Sequence, residues 1–157
     1  MLEYQQVYDF LQNVDCDFPV PLSHKTTLQA LAEKYLLHGT LCCISADGQI
    51  SAMVAGYTDH TIDNTGYISL VAVRAPFRGK GYASKLIRDF LGIAQNKGLK
   101  AVHVYTHKSN TAALGMYSAL GFVPFHPSSE PRPDDIHFIY EFRLHDFDIE
   151  KELDNTP

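Results

Sequence analysis

A mixed α/β fold is what this sequence predicts, and three patterns carry that prediction. Strand-like and helix-like runs alternate along most of the chain. An Asp47-Gly48 dipeptide joins two strand-like runs and reads as a hairpin turn of type I′. A largely apolar run, 67–74, leads through a glycine-rich turn into the most regular amphipathic helix of the chain.

Each element can be justified in order. Leu2, Val7, Leu11 and Val14 space a first short amphipathic helix, closed off by Pro19 and Pro21. Thr26 or Thr27 offers an N-cap to a second helix, whose Leu28, Leu31, Ala32, Tyr35 and Leu36 recur at helical spacing up to Gly39. Residues 40–46 and 49–58 form the hairpin strands, and Thr65-Gly66 introduces a strand at 67–74 that reads as buried on both faces. Ala83, Leu86, Ile87, Phe90, Leu91 and Ala94 then stripe one face of a long helix ending at Gly98. Residues 100–106 read as a strand, 110–120 as a helix, and 122–125 and 136–144 as closing strands joined by a Pro-rich loop.

Composition narrows the function classes. With 157 residues, 45% of them hydrophobic, the chain can bury one sizeable core. Nine Phe and nine Tyr argue against disorder. One domain is therefore expected over residues 1–145, followed by an acidic tail, 146–157, where Asp146, Asp148, Glu150, Glu152 and Asp154 face only Lys151. A net charge of −5 without a basic stripe disfavours nucleic acid as a partner. Glu3, Gln5, Gln6 and Asp9 interrupt any N-terminal signal, and no apolar run has membrane-spanning length. A soluble, cytoplasmic protein is expected, with no membrane partner and with a homodimer left open. Cys16, Cys42 and Cys43 are odd in number, and the adjacent pair in a strand points to opposite faces, so no disulfide framework is expected.

Two constellations carry chemistry. The first is Arg78-Gly79-Lys80-Gly81-Tyr82-Ala83-Ser84, a glycine-rich turn between a strand and a helix N-terminus. Unpaired N–H groups, the positive end of the helix dipole and two cationic side chains converge there, which makes an anion site suited to a pyrophosphate. The spacing fits neither a Walker loop nor a dinucleotide fingerprint, so ATP and NAD are disfavoured. In the second constellation, Asn110 and Tyr117 lie two helical turns apart on one face, and Gly121-Phe122 closes the helix.

Together these residues resemble the GNAT superfamily of acetyltransferases. Its coenzyme A motif, Arg/Gln-x-x-Gly-x-Gly/Ala, is matched by Arg78, Gly81 and Ala83, after a strand ending Val71-Ala72-Val73. Its later motif, Asn-x-x-Ala-x-x-x-Tyr-x-x-x-Gly-Phe, is matched by Asn110, Ala113, Tyr117, Gly121 and Phe122. The resemblance spans about residues 66–126. It implies a twisted mixed sheet of about six or seven strands flanked by helices, with the central strands splayed around acetyl-CoA as co-substrate. The pantetheine arm would lie against Leu70, Val71, Ala72 and Val73, the diphosphate on Gly79 to Ser84, Asn110 against the arm, and Tyr117 beside the sulfur.

Acyl transfer from a thioester to an amine needs a proton for the leaving thiolate and a base for the ammonium. Tyrosine, with an ordinary pKa of about 10, can supply the first to a thiol of about 8.5, so Tyr117 is the expected acid. Five positions before the motif Asn, where many family members carry a carboxylate, this chain has Tyr105. Asp59, His60, Asp63 and His103 are the alternative bases, the first three clustered at one strand end that should border the acceptor side. The remaining histidines, at 24, 38, 107, 126, 137 and 145, show no metal-ligand spacing, so no metal is expected. Cys42 and Cys43 read as small hydrophobes rather than nucleophiles. The acceptor is expected to be a primary amine on a small molecule, amino sugar or peptide, with the pocket built by 19–38 and 125–138. A non-catalytic acyl-CoA sensor is the competing reading. Tyr117 favours the enzyme, and the missing carboxylate at 105 favours the sensor.

Overall fold

The computed structural model describes residues 1–59, 61–125 and 132–145. Its strands are β1 (Thr40–Ala46), β2 (Gln49–Tyr57), β3 (Thr65–Val73), β4 (Ala101–His107), β5 (Val123–Pro124) and β6 (Asp135–Glu141). Its helices are α1 (Tyr4–Val14), α2 (Leu28–His38), α3 (Tyr82–Asn96) and α4 (Thr111–Leu120). The strands form one mixed sheet in the order β1-β2-β3-β4-β6-β5. Every pairing is antiparallel except β3 with β4.

The local signals acted as expected. Asp47 and Gly48 both take positive φ, as the tight hairpin turn requires. Thr27 caps α2 by accepting from the Ala30 N–H at 3.1 Å. Leu86, Ile87, Phe90, Leu91 and Ala94 of α3 are buried on one sheet face with α4, while α1 and α2 cover the other face through Val7, Phe10, Leu11, Val14, Ala32 and Tyr35. Cys42 and Cys43 divide between the two cores.

Three expectations need correction. The last strand stops at Glu141 rather than 144, and 142–145 form a helical turn. The pairing partner runs out there, because β4 begins at Ala101 opposite Glu141. The strand expected at 122–125 shrinks to two residues on the sheet edge, where Pro124 lacks an N–H to extend the ladder. Finally, β3 is not buried on both faces: Gly66, Ile68 and Leu70 are buried while Tyr67 and Val71 are half-buried and Ser69 is exposed.

Two irregularities of β3 shape the centre of the molecule. Gly56 pairs with Ile68 and Ala55 with Leu70, so Ser69 is an extra residue in the ladder. Because side chains alternate, this bulge turns Leu70 toward the α1–α2 core while Ile68 remains in the α3 core. Tyr35, a buried residue of α2, holds the bulge through its hydroxyl, 2.7 Å from Ser69 Oγ. Opposite it the chain demands glycine: a Cβ on Gly56 would collide with the Tyr67 carbonyl oxygen and lie 2.7 Å from Phe90 Cζ. The second irregularity is a parting of strands. β3 and β4 pair only from Thr65–Ala101 to Ile68–Val104, after which β3 stays with β2 and β4 with β6.

Candidate active site in the parted sheet

A cleft of about 580 Å³ opens where β3 and β4 separate. Leu70, Val71, Ala72 and Val73 line one wall, and Tyr105, Thr106, Asn110 and Tyr117 line the other. The backbone of 70–73 pairs with β2 along one edge only, so the polar groups along its other edge face the cleft without a strand partner.

At one mouth sit Gly79, Gly81, Tyr82, Ala83 and Ser84. Gly79 and Gly81 both have φ of 78°, left-handed backbone that a side chain strains, and a Cβ at either would point into open space. The Lys85 N–H reaches back to the Gly81 carbonyl at 3.1 Å, so α3 takes up none of the N–H groups of Tyr82, Ala83 and Ser84. They are available to an anion. The two cations of the turn behave differently from each other. Arg78 donates to Asp17 Oδ2 at 2.7 Å and to the Val73 carbonyl at 3.1 Å, tying the α1–α2 connection to the end of β3. Lys80 is exposed, its Nζ 5.6 Å from the Phe77 ring centroid.

On the opposite wall, Asn110 caps α4 by accepting from the Ala113 N–H at 3.2 Å. A Schellman motif ends that helix: Gly121 N–H donates to Ser118 O at 3.1 Å and Phe122 N–H to Tyr117 O at 3.0 Å, with the Tyr117 and Phe122 rings 5.2 Å apart. Tyr117 is thereby fixed against the sheet, 2% exposed. Burial holds its phenol well above the ordinary value, with a hydrogen bond to Thr106 opposing in part, so the hydroxyl keeps its proton at neutral pH.

The candidate bases separate clearly. Asp59 is paired with Lys97 Nζ at 2.8 Å, and Asp63 is exposed on a left-handed residue with φ of 56°. His60 lies outside the described residues, as do 126–131 of the expected acceptor region and the tail 146–157. His103 is half-buried on β4, and burial followed by the neighbouring His137 lowers its pKa, leaving a neutral imidazole at pH 7. Asp59, Asp63 and His103 line a second cavity of about 700 Å³, and Tyr67 lines both cavities.

The sequence singled out neither Tyr67 nor His137. Around His103 they form an aromatic cluster on the stretch of sheet beyond α1 and α2. Tyr67 lies 5.0 Å from His103, His137 stacks on Tyr105 at 4.2 Å, and the Arg132 guanidinium carbon lies 4.0 Å from the Tyr105 centroid. Only strand register could have revealed this, since His137 lies directly across from Tyr105. Tyr105, standing at the position of the family carboxylate, is a stacking platform. Burial pushes the Cys42 thiol up to about 11 and the Cys43 thiol up to about 12, so neither is a thiolate nucleophile at neutral pH. Among the described residues no group of three or more His, Cys, Asp or Glu could hold a metal ion, and no helix is long and apolar enough to cross a membrane.

This geometry has many counterparts. The chain is 32% identical over 74 residues to the N-alpha-acetyltransferase MAK3 of Arabidopsis thaliana, a match covering 47% of this chain and 39% of that relative. The PaiA N-acetyltransferase of Thermoplasma acidophilum, solved with coenzyme A, superposes with a TM-score of 0.69 at 12% identity, covering 89% of this chain and 95% of its own. A GNAT family acetyltransferase of Elizabethkingia anophelis with acetyl-CoA bound gives 0.58 at 23% identity, covering 78% and 92%. The sequence profile of the acetyltransferase (GNAT) family matches residues 7–122. With that match over most of its length, a sheet parted beside a glycine turn and a buried tyrosine on the facing helix, the chain belongs to the acetyltransferase (GNAT) family.

Proposed function

We propose that this domain, residues 1–145, transfers the acetyl group of acetyl-CoA to a primary amine, with the α-amine of a peptide as the favoured acceptor. The observation that carries this reading is the parted sheet, with free backbone donors at one mouth and the Tyr117 hydroxyl on its wall. The exposed turn at Gly79 and Gly81 fits a diphosphate, since no atom lies within 4 Å of either missing Cβ. Residues 70–73 supply backbone hydrogen bonds for the pantetheine arm and for the thioester oxygen. Asn110 spends its side-chain oxygen on the helix cap, which leaves its amide to face the arm. Arg78 braces the α1–α2 connection through Asp17.

In the reaction, His103 takes one proton from the acceptor ammonium, and the neutral nitrogen attacks the thioester carbonyl. The C–S bond breaks, Tyr117 donates its proton to the thiolate, and the second nitrogen proton restores the phenol. The net products are the acetamide, coenzyme A and one proton. His103 answers the missing carboxylate at 105, which was the feature favouring a non-catalytic sensor. The N-alpha-acetyltransferase likeness favours a peptide α-amine over other amines, although it covers only 39% of that relative.

The test is thiol release from acetyl-CoA across a panel of small amines and of peptides with free or blocked N-termini. Release should need a free amine and be fastest for free peptide N-termini. Tight binding of acetyl-CoA by calorimetry without release on any amine would overturn the enzymatic reading.

A further inference from the structure

His103 Nδ1 lies 3.0 Å from His137 Nε2, a hydrogen bond between two imidazoles on neighbouring strands. It is a diagonal contact, since His103 is in register with Ile139 and His137 with Tyr105. His137 is 7% exposed and its ring is clamped between Tyr105, stacked at 4.2 Å, and Phe125, edge-on at 5.2 Å. His103, by contrast, is half-buried and lines the 700 Å³ cavity, which has Tyr67 as a lining residue in common with the cleft. One imidazole is therefore locked and interior, and the other is reachable.

We infer that His137 is a positioning residue that sets the tautomer of His103 and makes the pair a one-proton acceptor for the acceptor ammonium. The inference rests on His103 being the base. The shared bond contains a single proton. When His137 Nε2 accepts from His103 Nδ1–H, the remaining nitrogen of His103, Nε2, carries a lone pair. That lone pair takes the ammonium proton, and the imidazolium formed keeps its Nδ1–H directed at His137. A second proton on the pair would place two cations 3.0 Å apart, so it takes one at a time. His137 thus does for His103 what an orienting carboxylate does in other acid–base pairs, without adding a negative charge.

Among the described residues, other titratable or charged groups lie around the pair. Tyr67 faces His103 from β3 at 5.0 Å, and Tyr105 stacks on His137 from β4. Arg132, 3.9 Å from Asp135 Oδ2, lies over Tyr105, and Asp59 and Asp63 share the cavity with His103.

The experiment compares wild type, His137→Phe, His137→Gln and His103→Ala, with pH profiles of kcat/KM and imidazole 15N chemical shifts. In wild type, His103 should appear as the Nδ1–H tautomer at neutral pH. His137→Phe keeps the stacked ring but removes the acceptor, so kcat/KM should fall about 10-fold or more, acetyl-CoA affinity should hold, and His103 should become a tautomer mixture. His137→Gln, whose amide oxygen can accept, should recover part of the rate and the tautomer. A wild-type rate and tautomer in His137→Phe, with His103→Ala impaired, would overturn the positioning role alone. Full activity in His103→Ala would overturn the base assignment beneath it. Should His137→Phe not fold, an Nε2–H tautomer of His103 in the wild-type spectrum would by itself overturn the inference.

Discussion

Tyr117 shows what a single residue gains from its surroundings. Water would leave its phenol near its ordinary value of about 10, but burial raises it, so the phenol stays protonated at neutral pH. In the proposed reaction the departing thiolate takes that proton while the second nitrogen proton replaces it, so no free phenolate has to form. Tyr117→Phe keeps the ring contacts with Phe122 and Phe138 but removes the proton, so turnover should drop by about 10²- to 10⁴-fold while acetyl-CoA affinity stays within about twofold. Calorimetry beside steady-state kinetics checks both halves, and an unchanged kcat would reduce Tyr117 to a packing residue. The tyrosine was legible in the sequence because its spacing to Asn110 and Gly121 is local to one helix. His137 was not, because nothing near it in the chain reports that β6 will lie against β4.

At the scale of elements, two glycines are needed for opposite reasons. Gly81 has room but the wrong backbone for a side chain, with φ of 78° and nothing near its Cβ position. Gly81→Ala should therefore cost about 1–3 kcal/mol of strain, whereas Gly81→Asp adds a negative charge facing the diphosphate. Acetyl-CoA should bind the Asp variant at least about 2 kcal/mol more weakly than the Ala variant, and equal affinity of the two folded proteins would remove the diphosphate from this turn. Gly56 has ordinary backbone but no room, pressed against the Tyr67 carbonyl and Phe90 at the β3 bulge. Gly56→Ala should destabilise by about 1–3 kcal/mol in urea unfolding and impair catalysis as well, because relief of the clash must shift Tyr67. A loss of stability without any loss of rate would show that the bulge does not set the site's geometry.

For the whole molecule, pH should erode stability from both sides. His103 has a lowered pKa in the fold, so its contribution is present above the unfolded value of about 6.5 and is lost as pH falls through the lower folded value. Cys42 and Cys43 act at the other end: raised to about 11 and 12, they contribute fully below their unfolded value of 9.0 and lose it as pH climbs toward the folded values. Thermal melts should show Tm falling from pH 7 toward 5, and less steeply in His103→Phe. An identical slope in that variant would locate the acid sensitivity elsewhere.

By itself, the sequence determined the elements and the chemistry they can hold. Periodicity placed α3, the Asp47-Gly48 turn placed the hairpin, the glycine turn from Arg78 to Ser84 marked one mouth of the cleft, and Asn110 with Tyr117 marked one wall, because each of these signals lies within one element or one turn. The tertiary structure alone decided the rest. Whether β3 was buried on both faces depended on the bulge at Ser69 and on β4 leaving it after Ile68, which are properties of pairing rather than of composition. Which of the candidate bases is paired and with what depended on Lys97 reaching Asp59 from α3's end and on His137 reaching His103 from the neighbouring strand. Such contacts join residues more than 30 positions apart, and the chain encodes them only through the register that the packed sheet selects.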